Sequence, residues 1–115
     1  MPVQLGYLTI PVLDTPRAMA FFGAVFGWTF DPSSGPAGAH VDNVHPPIGL
    51  SRGGPTDYSN LYFQVPDIAG ALGRLVALGG AAGEISESPS GISAVCGDDQ
   101  GTRFSLWQPA PGFEG

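Results

Sequence analysis

The alternation of apolar and polar residues predicts a strand followed by a helix near the start of the chain. Apolar and polar positions alternate over residues 4–12, as in a half-buried strand. Residues 16–26 then carry apolar side chains at i, i+3, i+4 and i+7, the spacing of an amphipathic helix. We expect Thr15 to cap this helix, with Pro16 at its first position. Gly27 supplies the left-handed residue that ends it.

The same signals recur in the second half of the chain at almost the same offset. Residues 60–65 alternate, Asp67 is a favourable N-cap residue, and 68–78 has helical spacing that ends at Gly79. Repetition of this kind predicts two copies of one structural unit. Three further strands are predicted in each copy, at 28–30, 39–44 and 48–51 in the first and at 84–87, 92–97 and 103–108 in the second.

Each copy is therefore predicted to be a βαβββ module, and the chain to be an α+β protein. A length of 115 residues is that of one domain with a core of its own. Within this single domain, 1–115, the boundaries follow from Gly- and Pro-rich stretches. They are a first module at 4–53, a linker at 54–58, a second module at 59–109 and a tail at 110–115.

Charge and composition narrow the classes of partner. Four Arg, no Lys and ten acidic residues give a net charge of −6, so we expect neither nucleic acid nor an anionic membrane as a partner. No apolar run is long enough to span a bilayer, and the first residues lack the pattern of a secretory signal. We therefore expect a cytoplasmic protein. Cys96, the only cysteine, excludes an internal disulfide and is predicted to be a buried, inert thiol.

Short motifs along nearly the whole chain carry a family resemblance. They are Ile10-Pro11-Val12-Leu13-Asp14, Arg17-Ala18 with Phe21-Phe22, Phe26-Gly27-Trp28, Leu78-Gly79-Gly80, Asp98-Asp99-Gln100-Gly101 and Phe104-Ser105-Leu106-Trp107. In this order they resemble the glyoxalase / bleomycin-resistance / extradiol-dioxygenase superfamily, also called vicinal oxygen chelate proteins. The resemblance implies two βαβββ modules whose strands form a curled mixed sheet around a cleft, usually in a homodimer.

The resemblance also implies where a metal would be held. Members of the superfamily usually bind a divalent ion through His, Glu or Gln side chains on the first and last strands of each module. Those positions correspond to Tyr7, Gly49, Asn60 and Ser105 in this sequence. Divalent ions in such sites need carboxylate or imidazole donors, which these four residues do not offer. We therefore expect no metal and no other cofactor, with a divalent metal in a non-standard site as the alternative.

Polar and aromatic residues occupy the strand positions that alternate away from the two helices. They are Tyr7, Thr9, Ser51, Asn60, Tyr62, Gln64, Arg103, Ser105 and Trp107. Such a surface suits a small planar polar molecule, because rings stack, amides orient the ligand and Arg103 can pair with an anionic group. The other interpretation is that these residues simply face solvent on one side of a sheet.

Two histidines offer the groups that titrate nearest neutral pH. His40 lies two residues before Asp42, on the same face if 39–44 is a strand. One hypothesis makes His40 a general base oriented by Asp42, or half of a displaced metal site. The other makes it a histidine at the end of a strand beside a proline-rich turn. His45, directly before two prolines, is predicted to be a loop residue.

Two further motifs favour structural roles. Trp28, directly after the glycine that ends the first helix, is predicted to pack in the core, and lining a pocket is the alternative. The segment 98–101, Asp-Asp-Gln-Gly, lacks the spacing of an EF-hand calcium loop and is predicted to be a turn.

Three functions are compatible with these observations. The first is a metal-free protein that binds or sequesters a small polar aromatic molecule in its cleft. The second is a lyase or isomerase of the glyoxalase type, or a relative of the metal-dependent dioxygenases, that uses a non-standard site. The third is an accessory module without catalysis.

Overall fold

The computed structural model describes residues 2–35, 38–54 and 57–113. Within these ranges it contains two helices and eight strands, which confirms the predicted α+β class. The chain divides into two compact units, Met1–Thr56 and Asp57–Gly115. Residues 55–56 of the predicted linker and residues 114–115 of the predicted tail lie outside the described ranges.

The first unit places a three-stranded sheet beside one helix. Its elements are β1 (Leu8–Val12), α1 (Thr15–Phe26), β2 (Gly38–Val41) and β3 (Ile48–Arg52). The strand order is β1-β3-β2, with β1 parallel and β2 antiparallel to β3. Helix α1 contacts β2 and β3, and the apolar residues of β1 alternate with exposed ones, as predicted.

The capping residue of α1 differs from the predicted one. Asp14, not Thr15, is the N-cap, and its carboxylate accepts the backbone N–H of Arg17 at 3.0 Å. Thr15 is instead the first helical residue and is buried. Asp14 lies one residue before Thr15 and can accept hydrogen bonds from the same free N–H groups at the start of the helix. Aspartate and threonine are both favoured at the N-cap, so residue preference alone could not identify Asp14 as the capping residue. The helix ends at Gly27 in the left-handed conformation, as predicted.

An aromatic cluster forms the core of the first unit beneath α1. Phe22 is 1% exposed, and its ring centroid lies 5.4 Å from that of Trp28 and 5.3 Å from that of Phe26. Trp28 is therefore a core residue, as the sequence indicated. The strand predicted at 28–30 is wrong, because this segment makes only a single bridge, between Phe30 and Val41.

The second unit repeats the plan with a larger sheet. Its elements are β4 (Asp57–Gln64), α2 (Ile68–Ala77), β5 (Ala81–Ala82), β6 (Ser86–Ser88), β7 (Gly91–Gly97) and β8 (Arg103–Pro109). The strand order is β4-β8-β7-β5, and β6 also pairs with β7. The single strand predicted at 84–87 is replaced by the two short strands β5 and β6. The predicted linker is also too long, because β4 already begins at Asp57.

The two units share the arrangement of their first strand and their last two strands. In each, the first strand runs parallel to the last, and the last is antiparallel to the strand before it. Asp67 caps α2 by accepting the backbone N–H of Gly70, as Asp14 does for α1. The duplicated module inferred from the sequence is therefore confirmed. Among the described residues, no helix has the length and apolarity needed to cross a membrane.

The turn between β7 and β8 holds a buried aspartate. One carboxylate oxygen of Asp98 accepts the backbone N–H groups of Gln100 and Thr102 at 2.8 and 2.9 Å. This is the turn that the sequence predicted for 98–101. Burial raises the pKa of the Asp98 carboxyl, while the two backbone N–H groups act to lower it.

A carboxyl whose pKa is raised by folding makes stability fall as the pH rises. The folded state then holds the proton more tightly than the unfolded chain, which titrates near pH 4. We expect Asp98→Asn to match the wild type in free energy of unfolding at about pH 4 and to exceed it increasingly toward neutral pH. Urea unfolding across this range measures the difference. A difference in unfolding free energy between Asp98→Asn and the wild type that grows as the pH falls would contradict the raised pKa of Asp98.

Candidate functional site

The first site lies on the exposed face of the first sheet. Strand pairing puts Thr9, Gly49 and His40 side by side across β1, β3 and β2. Tyr7, just before β1, extends this face and is 47% exposed. The sequence predicted Tyr7 and Thr9 on this face and offered His40 separately, and the structure brings the three together.

Tyr7 and His40 form a stacked, hydrogen-bonded pair. The Tyr7 hydroxyl lies 3.0 Å from Nδ1 of His40. Their ring centroids are 5.7 Å apart and their planes differ by 10°. Two contacts of different kinds fix the imidazole relative to the phenol ring. Which atom donates depends on the protonation of His40.

Gly49 makes this arrangement possible. A Cβ atom at residue 49 would collide with the Tyr7 hydroxyl and lie 3.2 Å from Cζ of the same ring. The phenol therefore occupies the space that a side chain at position 49 would need. The close approach of Tyr7, and not the backbone conformation of residue 49, favours glycine at this position.

A cavity of about 270 Å³ opens beside the pair. Its polar lining comes from Tyr7, Thr9, Ser33, Ser34 and His40. The Ser34 hydroxyl accepts the backbone N–H of His40 at 3.0 Å, which joins the 31–35 turn to β2. The sequence predicted no role for either serine, because residues 31–35 have neither the strand nor the helix period. Its Ser-Ser-Gly composition was the available signal.

Asp42 does not orient His40, so that hypothesis is wrong. Its carboxylate accepts the hydroxyl of Thr29, and its backbone N–H bonds to the Thr29 carbonyl at 2.9 Å. The physical reason is that β2 ends at Val41, so the alternation that would have aligned Asp42 with His40 stops first. His45 is exposed in the loop between β2 and β3.

The second site is a polar and aromatic face of the second sheet. Pairing of β4 with β8 places Tyr62 beside Ser105 and Gln64 beside Trp107. Arg103 shares this face, two residues before Ser105. Tyr62 is 58% exposed and Gln64 is exposed, whereas Trp107 is half-buried. Burial does not alternate along β8 as predicted, because Phe104, Ser105 and Leu106 are all buried.

The start of β4 is irregular. Its register with β8 shifts between Tyr58 and Tyr62, so Asn60 has no partner residue in the ladder. Ser105 is fully buried, and its hydroxyl donates to the backbone carbonyl of Ser59. Ser105 therefore satisfies a carbonyl that the irregularity leaves outside the ladder.

Arg103 already has an acidic neighbour. Its guanidinium lies 4.0 Å from the carboxylate of Asp57, and both side chains are more than half exposed. The pKa of Asp57 is lowered first by the backbone and side chain of Ser59, and only weakly by Arg103. An exposed pair at this distance is weak, so an anionic group can compete with Asp57 for Arg103.

The residues at the family's metal positions do not fit a divalent ion. Gly49 has no side chain, and the Tyr7 hydroxyl is held against His40. The Ser105 hydroxyl is committed to the Ser59 carbonyl, and Asn60 offers one neutral amide. Within the described ranges, no three His, Cys, Asp or Glu residues are grouped as metal ligands. We therefore derive no chemistry through a metal at these positions.

Cys96 is not a candidate nucleophile. Its side chain is buried in β7, and burial raises the pKa of the thiol. A thiol that resists deprotonation in this way is a poor nucleophile. This agrees with the inert role that the sequence indicated.

Comparison with known proteins gives a family match and many similar folds. The family model described as a glyoxalase-like domain matches residues 7–107. No curated protein matches the chain in sequence. Among solved structures, FosX from Listeria monocytogenes, a genomically encoded fosfomycin resistance protein, is 19% identical. The alignment covers 96% of this chain and 97% of that one, with a TM-score of 0.76.

Two further structures have similar statistics. A glyoxalase/bleomycin resistance protein/dioxygenase family enzyme from Burkholderia phytofirmans is 19% identical, with 94% of this chain and 100% of that chain covered and a TM-score of 0.76. TnmS3, an antibiotic binding protein from a Streptomyces species, is 20% identical, with 95% and 98% covered and a TM-score of 0.70. At these identities the likeness is one of fold.

Proposed function

The chain belongs to the glyoxalase-like domain family, and we propose that it binds or sequesters a small, planar, polar aromatic molecule without using a metal. The observation that carries the proposal is the face of the second sheet formed by Tyr62, Gln64, Arg103 and Trp107. It combines two aromatic rings, an amide and a weakly paired guanidinium on adjacent strands. Rings of this kind stack on a planar ligand, and the polar groups orient it.

The donor chemistry at the family's metal positions supports binding over metal-assisted chemistry. Tyr7 and Ser105 both have hydrogen-bond partners, and Gly49 cannot coordinate an ion. Among proteins of the same fold, TnmS3 is an antibiotic binding protein. Binding of a small molecule is therefore one use of this fold. The homodimer and the cytoplasmic location expected from the sequence remain proposals.

Binding of naphthalene-2-carboxamide, a neutral planar aromatic, tests the proposal by isothermal titration calorimetry. We expect Trp107→Ala to weaken this binding about tenfold, because one stacking surface is lost. Treatment with EDTA should leave the affinity unchanged. Phe113→Ala is the matched control, since Phe113 is an exposed aromatic residue near the C-terminus.

Two results would overturn the proposal. One is the absence of binding to the carboxamide and to every planar aromatic in a comparable panel. The other is binding, or turnover of a glyoxalase-type substrate, that appears only after Ni²⁺, Zn²⁺, Mn²⁺ or Fe²⁺ is added. The second outcome would support the alternative of a lyase or isomerase with a non-standard site.

A further inference from the structure

We propose that the cavity of the first unit binds the carboxylate of an aromatic acid, and that His40 takes up a proton when it does so. The inference deepens the proposed function and rests on it, because Tyr7 and Thr9 belong to the surface that the sequence predicted to bind the ligand. It adds the chemical class of the ligand, an aromatic carboxylate, and a link between binding and pH.

Protonation of His40 changes what the pair can donate. In the neutral pair with the imidazole proton on Nε2, the Tyr7 hydroxyl donates to Nδ1 across the 3.0 Å contact and has no proton left to donate elsewhere. In the cationic pair, Nδ1 carries the proton and donates to the phenol oxygen. The Tyr7 O–H is then released to donate elsewhere. One proton thus supplies both a positive charge and a hydroxyl donor at the edge of the cavity.

The serine turn adds a further donor. The Ser34 oxygen accepts the backbone N–H of His40, which leaves its own O–H available to donate. Thr9 contributes a second hydroxyl to the lining. Hydroxyl donors together with an imidazolium suit a carboxylate, whose two oxygens accept several hydrogen bonds. A cavity of about 270 Å³ is smaller than a typical drug-sized site, so it suits one end of a small ligand.

The charged and titratable neighbours of His40 are compatible with this assignment. Tyr7 contacts it from the segment before β1, and Asp31 is its acidic neighbour in the 31–35 turn. The hydroxyl and backbone N–H of Ser33 bind the Asp31 carboxylate and lower its pKa, with a minor contribution from His40. Asp31 therefore stays ionised at neutral pH and places a negative charge close to His40.

The experiment compares naphthalene-2-carboxylate with naphthalene-2-carboxamide, its neutral isostere. Titration calorimetry is carried out at about pH 5.5 and about pH 8.5, on either side of the usual imidazole titration. At the acid pH we expect the carboxylate to bind about tenfold more tightly than the carboxamide, because it gains charge-assisted hydrogen bonds. At the alkaline pH this preference should fall to whatever Arg103, which stays charged, contributes on the second sheet. Two buffers of different ionisation enthalpy should report uptake of a proton at intermediate pH.

Variants test whether His40 is the residue that takes up the proton when the ligand binds. His40→Gln should abolish both the proton uptake and the gain in carboxylate preference at acid pH. His45→Gln is the matched control, because it removes the other imidazole of the sequence from an exposed loop position. Tyr7→Phe keeps the ring stack but removes the hydroxyl, so it should reduce the preference without loss of folding. Circular dichroism and thermal unfolding establish that each variant is folded.

The failure of this inference is distinguishable from that of the proposed function. Equal affinity for the two probes at acid pH, or proton uptake that survives His40→Gln, would overturn the carboxylate site alone. If neither probe binds at any pH, the proposed function fails as well. Loss of proton uptake in His45→Gln would also contradict the assignment, since His45 is not among the residues that line the cavity.

Discussion

Phe22→Ala is expected to lower the free energy of unfolding by about 4 kcal/mol, the largest stability loss that we predict. The side chain is 1% exposed at the centre of the cluster with Phe21, Phe26 and Trp28. Truncation removes the burial of a whole phenyl ring and leaves a cavity that the surrounding rings cannot fill without losing their own contacts. Urea unfolding followed by tryptophan fluorescence measures the change.

Phe113→Ala is the matched control for this prediction. It makes the same chemical change at a residue that is 52% exposed, and it should alter stability by less than about 0.5 kcal/mol. A loss of less than about 1 kcal/mol for Phe22→Ala would show that the aromatic cluster is not the core of the first unit.

Gly91→Ala is expected to lower the free energy of unfolding by about 3 kcal/mol. The loss comes from strain in the backbone and not from a change in the hydrophobic core. Gly91 begins β7 with φ of +144°, a conformation that residues with a Cβ atom rarely adopt. A Cβ atom there would also collide with the Gln108 carbonyl oxygen and lie 2.8 Å from the backbone nitrogen of Ala110. Neither backbone atom can rotate away as a flexible side chain would, so β7 and β8 must separate locally.

Gly73→Ala is the opposite case within the same unit. Gly73 lies in α2, and a Cβ atom there meets nothing within 4 Å. Alanine is the better helix former, so this variant should gain about 0.5–1 kcal/mol in unfolding free energy. The two glycine variants can be compared in one series of urea titrations. Similar stabilities for both would contradict the strained conformation assigned to Gly91.

Part of the fold could be predicted because its signals are local. The helix beginnings at 14–16 and 67–68, the glycine at 27 and the alternation in β1 depend on neighbours within a few residues. Errors occurred where a partner strand decides the outcome. The 28–30 segment has strand-like residues, yet only Phe30 finds a bridge, and 84–87 is replaced by two short strands. The residue pattern of a segment does not determine how many of its residues will pair with a neighbouring strand.

The candidate site could also be predicted only in part, because some of its contacts depend on partner strands. Alternation placed Tyr7, Thr9, Gln64 and Trp107 on the faces where the structure has them. The prediction for Asp42 was wrong, because β2 ends one residue before it. Alternation also could not predict that the Ser105 hydroxyl donates a hydrogen bond to the Ser59 carbonyl. That role follows from a register shift in a different strand, 46 residues away.

By itself, the sequence determined the repeated strand–helix plan, the two capped helices and the sides of the strands that face away from them. These follow from side-chain period and capping chemistry, which act over a few residues. Only the tertiary structure decided that Tyr7 meets His40, 33 residues later, above a glycine on the strand between them. That contact requires β1 and β2 to flank β3 in one register, and strand pairing is set by the packing of the whole unit.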